Sequence, residues 1–281
     1  MPSNKQRRQA AQRHLQRQLE RRAELARRRR RNLLVTVTVA AVVLVAGAVL
    51  LVAVLGGDDD DPTVADGTTS ATDPATAPES PAPPVVNPDG TVTCDFAPDG
   101  SGTDVGLPPD EEATPAEGTS TLAVSTSAGA MTFTLDRAQA PCAASSFTHL
   151  ASVGFFDGSP CHRMVNQPAF GVLQCGDPTG TGTGGPGYRF FEEVPQGTTY
   201  PRGTIAMANS GQPGSTGSQF FLCFVDTELP PSYTPVGTVD EAGLAVLDQV
   251  AAAGNDGSFE PSPGGGAPNT PVTIESVTVV Q

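Results

Sequence analysis

Residues 161–224 read CHRMVNQPAFGVLQCGDPTGTGTGGPGYRFFEEVPQGTTYPRGTIAMANSGQPGSTGSQFFLCF. Four short segments stand in it between glycine-rich connections: Cys161-His162-Arg163-Met164, Gln174-Cys175-Gly176-Asp177, Ala206-Met207-Ala208-Asn209-Ser210 and the octapeptide from Gly217 to Phe224. Each lies in or beside a short apolar run bounded by turn formers, so strands are expected at 161–165, 172–175, 204–209 and 219–225. Successive strand residues face opposite ways, so Phe220 and Phe221 divide between a core and an outer face. Phe220 and Met207 are read as core. An Arg after a His, or a Phe-Phe pair, means little alone; the four segments in this order mean much more.

Outward from this stretch, Leu122, Val124 and Thr126 alternate with Ala123, Ser125 and Ser127. After Ala128-Gly129 a second alternating run, Met131, Phe133 and Leu135, makes a hairpin. Residues 138–153 suit an amphipathic helix ended by Gly154, and residues 243–252 a second one stopped by Gly254. Further strands are expected at 235–239 and 272–280. Many short strands with two helices point to a mainly β domain over 119–281, an antiparallel barrel or a sandwich.

The chain before this domain has a different character. Twelve of the sixteen basic residues precede Asn32 with two acids against them, so the first 31 residues carry +10, while everything after Leu55 has four Arg and 28 acids. Between them, Leu33 to Leu55 contains no charge and is long enough to cross about 30 Å of hydrocarbon as a helix. This reads as a single-pass anchor in the cell membrane. The basic 1–32 tail stays in the cytoplasm against anionic lipid rather than nucleic acid, and Asp58 to Asp61 and all that follows lie outside. A cleaved signal peptide is the competing reading, with Ala46-Gly47-Ala48 as the small-residue site. Residues 56–118 are a Pro/Thr/Asp-rich linker, extended to about residue 90, whose 91–118 part is expected to dock on the domain. The Arg, Ala, Gly and Pro bias with almost no Lys points to a GC-rich bacterial genome.

Cys94, Cys142, Cys161, Cys175 and Cys223 all fall on the outer side of the span, where disulfides persist. Cys223, inside an apolar strand, is read as a buried small hydrophobe. The other four then make two bridges of open connectivity, one of them able to pin the Cys94 segment to the domain. No C-x2-C pair occurs and His149 and His162 are not i, i+4 partners, so no metal is expected. The run from Gly176 to Gly187 lacks the Lys and the following helix of a phosphate-binding loop. No G-x-S-x-G element or carboxylate pair points to a hydrolase.

Taken together the four segments resemble the cyclophilin family of peptidyl-prolyl isomerases, over about 119–281. The resemblance implies a closed eight-stranded antiparallel barrel capped by two helices, no cofactor, and proline-containing polypeptides as substrates. It implies Arg163 as the catalytic residue and Gln174 as the glutamine that holds substrate backbone and supports the arginine. Ala208 and Asn209 match the pair that binds the residue before proline, and Gln219 and Phe221 match a substrate-contacting glutamine and the floor of the proline pocket. A closed barrel leaves no free edge strand, which suits a monomeric module.

Three positions depart from the family pattern. Eleven steps separate Arg163 from Gln174, longer than in the common pattern, and Gly171 stands where an aromatic is usual, so Phe170 or Val172 is expected to line the pocket. Leu229 replaces a frequent tryptophan, which bears on cyclosporin binding more than on catalysis. Tyr233 replaces the histidine of the pocket rim. The expected function is acceleration of X–Pro rotation in secreted or envelope proteins; the rival is a tethered module that binds proline segments without turnover.

Overall fold

The computed structural model describes residues 80–280. The basic tail, the apolar span 33–55 and the linker up to residue 79 lie outside the described residues. Among the described residues, no helix is long and apolar enough to cross a membrane.

Twelve strands and two α-helices follow in the order β1 (Val85–Val86), β2 (Val92–Thr93), β3 (Ala97–Pro98), β4 (Thr119–Thr126), β5 (Gly129–Asp136), α1 (Pro141–Ser152), β6 (Arg163–Gln167), β7 (Phe170–Cys175), β8 (Tyr188–Arg189), β9 (Thr204–Met207), β10 (Phe220–Cys223), β11 (Pro235–Val239), α2 (Glu241–Ala253) and β12 (Ile274–Val280). A 3₁₀ turn at Glu111–Ala113 interrupts the approach to β4. Eight strands form one antiparallel sheet in the order β12-β4-β5-β11-β9-β10-β7-β6. The fold is mainly β, a curled eight-stranded half-barrel with two helices.

The eight paired strands run from β12 at one end to β6 at the other. No ladder joins β12 to β6. Pro160, just before β6, bridges Thr273, just before β12, and Met164 pairs with Gly266 through bonds of 2.7 and 3.1 Å. Contact between the two ends of the sheet passes through Gly158, Ser159 and Cys161, which bond Ile274 and Val272.

The β4–β5 hairpin turns at Gly129, which adopts φ +145 and would otherwise press a Cβ against Val246. Leu122, Val124, Met131, Phe133 and Leu135 all face the core. Helix α1 begins at Pro141, the position where proline's fixed φ and missing N–H are best tolerated, and so starts three residues later than its apolar period suggests. It lays Phe147 against Phe220 and Phe156, with ring centroids 4.9 Å away in both cases. Helix α2 is capped by Asp240, whose carboxylate accepts from Gly243 N at 2.9 Å and also from Thr132 N of β5 at 3.0 Å.

Residues 80–118 pack on this body. Cys94 is bonded to Cys142 on α1, and Cys161 to Cys175; Cys223 is a buried free thiol. Phe96 sits edge-on to Tyr188 and Phe190 at 5.6 and 5.5 Å, and β3 pairs with β8. These two-residue strands carry no periodic signal that a sequence could reveal.

Helix α1 has no side-chain cap of its own, because Ala140 holds the N-cap position. Glu193 supplies it from 51 residues away, accepting from Cys142 N at 3.0 Å and Ala143 N at 2.8 Å. Burial raises its carboxyl to about 7, against the lowering effect of those two bonds. Its folded pKa thus lies above the unfolded value of about 4.3. The stability it contributes is present in full below that unfolded value and is lost as pH rises through about 7. Urea denaturation across pH 4–8 should therefore show stability falling by roughly 3 kcal/mol, and Glu193→Gln should flatten the trend. Separately, replacing both Cys94 and Cys142 with Ser opens a loop of 48 residues and should lower unfolding free energy by about 2–4 kcal/mol in urea titrations.

Candidate active site

Strands β6 and β7 pair antiparallel with Arg163 directly opposite Gln174. Along β7, Phe170, Val172 and Gln174 share one face while Leu173 and Cys175 share the other and enter the main core. Strand β10 divides the same way: Phe220 and Leu222 join the main core, whereas Phe221 and Cys223 belong to a second apolar cluster with Val165, Val172, Tyr200 and Ala206. This second cluster underlies a cavity of about 500 Å³.

Nine of the ten site residues named from the sequence line that cavity: Arg163, Phe170, Val172, Gln174, Ala208, Asn209, Phe221, Leu229 and Tyr233. Gln219 does not. It lines a neighbouring cavity of about 460 Å³ that shares Gln174, Gly182, Ala208 and Asn209 with the first.

Arg163 is half-buried, and each part of its guanidinium is held. Nη1 donates to Gln174 Oε1 at 3.1 Å, Nε to Gly264 O at 3.0 Å and Nη2 to Pro263 O at 2.9 Å. Three of five N–H groups are spent in this way, leaving one on each terminal nitrogen. Burial lowers its pKa, with Tyr233 and Glu260 acting against that, and the group stays cationic at working pH.

The apolar wall is aromatic. Phe221 meets Tyr233 edge-on at 5.4 Å. Tyr200, fully buried behind them, accepts from Tyr233 N at 3.0 Å and donates to Tyr233 O at 2.9 Å, so one hydroxyl fixes the rim residue's backbone from both sides. Gly171 has a packing reason to be glycine: a Cβ there would come within 2.6 Å of Phe224 and Val225 side-chain carbons. An aromatic has no room at that position, and Phe170 meets the cavity from the other face of the strand.

The polar side is a relay of amides. Gln174 Nε2 donates to Gln219 Oε1 at 2.9 Å, and Gln219 Nε2 donates to Gly182 O and Gly184 O, both at 3.0 Å. The glycine-rich loop is shaped from within by Asp177, fully buried, which accepts from Thr179 N and Oγ1 at 2.7 Å and from Gly182 N at 2.6 Å. Burial alone would raise that carboxyl, but the hydrogen bonds outweigh it and hold it below its usual range. Ala208 donates its N–H to Gln219 O at 2.8 Å, and Asn209 Nδ2 donates to Ser232 O at 2.8 Å.

Five lining residues were not named as site residues from the sequence: His162, Thr181, Gly182, Phe259 and Pro263. His162 adjoins Arg163 and could have been found from that adjacency. Burial lowers its pKa, opposed by Asp177 and aided by Arg163, so the ring is neutral at pH 7. Thr181 and Gly182 belong to a run that reads as a plain connection. Phe259 and Pro263 come from a loop about a hundred residues beyond Arg163, with no local signal linking the two.

Among the described residues that line the cavity, none is a carboxylate or a thiol. The arrangement offers one fixed cation, several amide groups and an apolar slot, which suits binding and orienting a peptide backbone rather than cleaving it. The model of one family, described as "Cyclophilin type peptidyl-prolyl cis-trans isomerase/CLD", matches residues 121–279. The chain is 44% identical over 171 residues to the "Probable peptidyl-prolyl cis-trans isomerase B" of Mycobacterium leprae, covering 57% of this chain and 56% of that relative. It is 43% identical over 130 residues to the "Peptidyl-prolyl cis-trans isomerase" of Helicobacter pylori, covering 45% and 77% respectively. A crystal structure of a cyclophilin type peptidyl-prolyl cis-trans isomerase from Cryptosporidium parvum superposes with TM-score 0.50 at 26% identity, covering 58% of this chain and 99% of that one. The chain spans about half the length of the mycobacterial isomerase B relatives that it matches. It belongs to the cyclophilin-type peptidyl-prolyl cis-trans isomerase family.

Tyr200→Phe removes the hydroxyl that both bonds of Tyr233 share. Unfolding free energy should fall by about 1–3 kcal/mol in urea titrations, the cost of leaving a backbone pair without its partner.

Proposed function

We propose that this chain is a peptidyl-prolyl cis-trans isomerase, tethered to the cell membrane through residues 33–55, that acts on X–Pro bonds of secreted or envelope proteins. Rotation about an X–Pro bond is slow because the amide's partial double bond must be broken, at a barrier of about 18–20 kcal/mol. No nucleophile or proton transfer is needed. In the twisted amide the nitrogen regains its lone pair, and a donor aimed at that lone pair stabilises the twisted state over both planar ones.

The observation that carries the reading is a held guanidinium with an unspent N–H on Nη1 and on Nη2, beside an apolar slot. Val172, Phe221, Leu229 and Tyr233 enclose the proline ring, with Phe170 at its edge. Gln174, Gln219, the Ala208 carbonyl and the Asn209 N–H hold the flanking backbone. Arg163, being fixed beforehand, need not reorganise as the amide twists. The tether rests on the uncharged 23-residue run and its basic flank, and the one-sided anchoring suits a monomeric enzyme that meets unfolded chains outside the membrane.

The test is a protease-free X–Pro isomerisation assay on the full chain in carbonate-washed, right-side-out membrane vesicles. Activity should remain with the vesicles and be reached by external peptide, and Arg163→Ala should lower kcat/KM by about a hundredfold or more with unchanged thermal stability. A folded parent that binds proline peptides yet leaves their isomerisation rate untouched would make this a binding module instead.

A further inference from the structure

The Arg163 guanidinium owes two of its three hydrogen bonds to carbonyls of one loop, Pro263 O and Gly264 O. That loop follows α2, lies outside the four motif segments, and contains three consecutive glycines, Gly264, Gly265 and Gly266. Such a run is intrinsically loose. An arginine gripped by loose carbonyls would gain little orientation, so what stiffens the loop bears directly on the guanidinium.

Part of the stiffening is backbone: Phe259 N donates to Gly265 O at 2.9 Å, Gly264 N to Phe259 O at 3.0 Å, and Gly266 pairs with Met164 of β6. Asp256 Oδ1 closes the base of the loop by accepting from Ser258 N at 3.0 Å and Ala267 N at 2.9 Å. Within the loop, the remaining part is the Glu260 side chain. Glu260 Oε1 accepts from Gly265 N at 2.9 Å and from Gln167 Nε2 at 3.3 Å, tying the loop across itself and to the far end of β6. We infer that Glu260 is a positioning residue for Arg163: its carboxylate latches the loop from Phe259 to Gly265 so that two fixed carbonyls set the plane of the guanidinium. A long cationic side chain otherwise loses much rotamer freedom when it is ordered, and acceptors already in place meet that cost before substrate arrives. Glu260 is itself exposed, and the backbone bonds remain without it, so losing the carboxylate loosens the loop rather than unfolding the domain.

The inference rests on Arg163 being the catalytic donor, and the test separates the two. In the full chain, with exchange NMR on an Ala-Pro tetrapeptide, Glu260→Ala should lower kcat about tenfold. Peptide Kd should stay within twofold and Tm within a few degrees. The Arg163 Nε–H resonance should exchange faster with water. Glu260→Gln, which keeps an Oε1 acceptor for Gly265 N, should retain at least half of the parent's kcat. In an Arg163→Ala background, Glu260→Ala should change nothing further. Unchanged kcat in Glu260→Ala overturns the inference. So does a loss in Glu260→Gln as large as in Glu260→Ala, which would make the charge rather than the latch responsible. A further loss in the Arg163→Ala background overturns it as well. Full activity in Arg163→Ala alone would instead remove the catalytic reading of the arginine itself.

Discussion

The site depends first on a strand register. Arg163 and Gln174 face each other because β6 and β7 pair from Arg163↔Gln174 to Gln167↔Phe170. A slip of one residue would send Gln174 and Val172 into the core and bring Leu173 and Cys175 out to the cavity. The Cys161–Cys175 disulfide sits at the same end of the pair, joining the residue two before the arginine to the residue after the glutamine. The hairpin of these strands carries a wide apolar face, and the bridge holds that register at the point where the two polar side chains must meet.

Alternation lets single strands serve two purposes. On β7 and β10 every other residue belongs to the phenylalanine-rich core with Phe133, Phe147 and Phe156, and the rest to the cluster beneath the cavity. The floor of the slot is therefore the back of the core, and its rigidity comes from close packing on the reverse side. Tyr200 extends the same logic to the rim, since its hydroxyl is spent on the backbone of Tyr233 rather than offered to a ligand.

Much of this was legible in order along the chain. The β4–β5 hairpin, the two helices and the Phe220/Phe221 division follow from local period. The four motif segments name Arg163, Gln174, Ala208, Asn209 and Phe221, and positions compared with the family pattern outside them add Phe170, Val172, Leu229 and Tyr233 to the same cavity. What stayed hidden is what is not periodic. Strands β1, β3 and β8 have two residues each, too short for alternation to register. Glu193 caps a helix 51 residues earlier, and its place in a turn-rich connection gives no hint of that partner. The loop that grips Arg163 reads as a Gly/Pro connection, because carbonyl acceptors belong to every residue and leave no mark in the sequence. The pairing of Met164 with Gly266, a hundred residues on, likewise has no local signal.

The segment before β4 shows how a loop with almost no apolar side chains can be held in shape. Residues 180–187, which border both cavities, offer little to bury, so hydrogen bonds must order them. From the cavity side Asp177 and Gln219 bond Gly182 and Gly184. From the outer side Thr103 N bonds Gly185 O at 2.9 Å and Asp99 N bonds Gly187 O at 3.0 Å. The approach is so close that a Cβ on Gly102 would lie 2.1 Å from Gly185 O, and Gly102 takes φ +71 to make it. The strap that delivers Asp99 and Thr103 is fixed by Phe96 between two aromatic rings and by the Cys94–Cys142 bridge. A stretch whose composition reads as linker is thus part of what shapes one wall of the site, and its order rests on a few anchors that let backbone meet backbone.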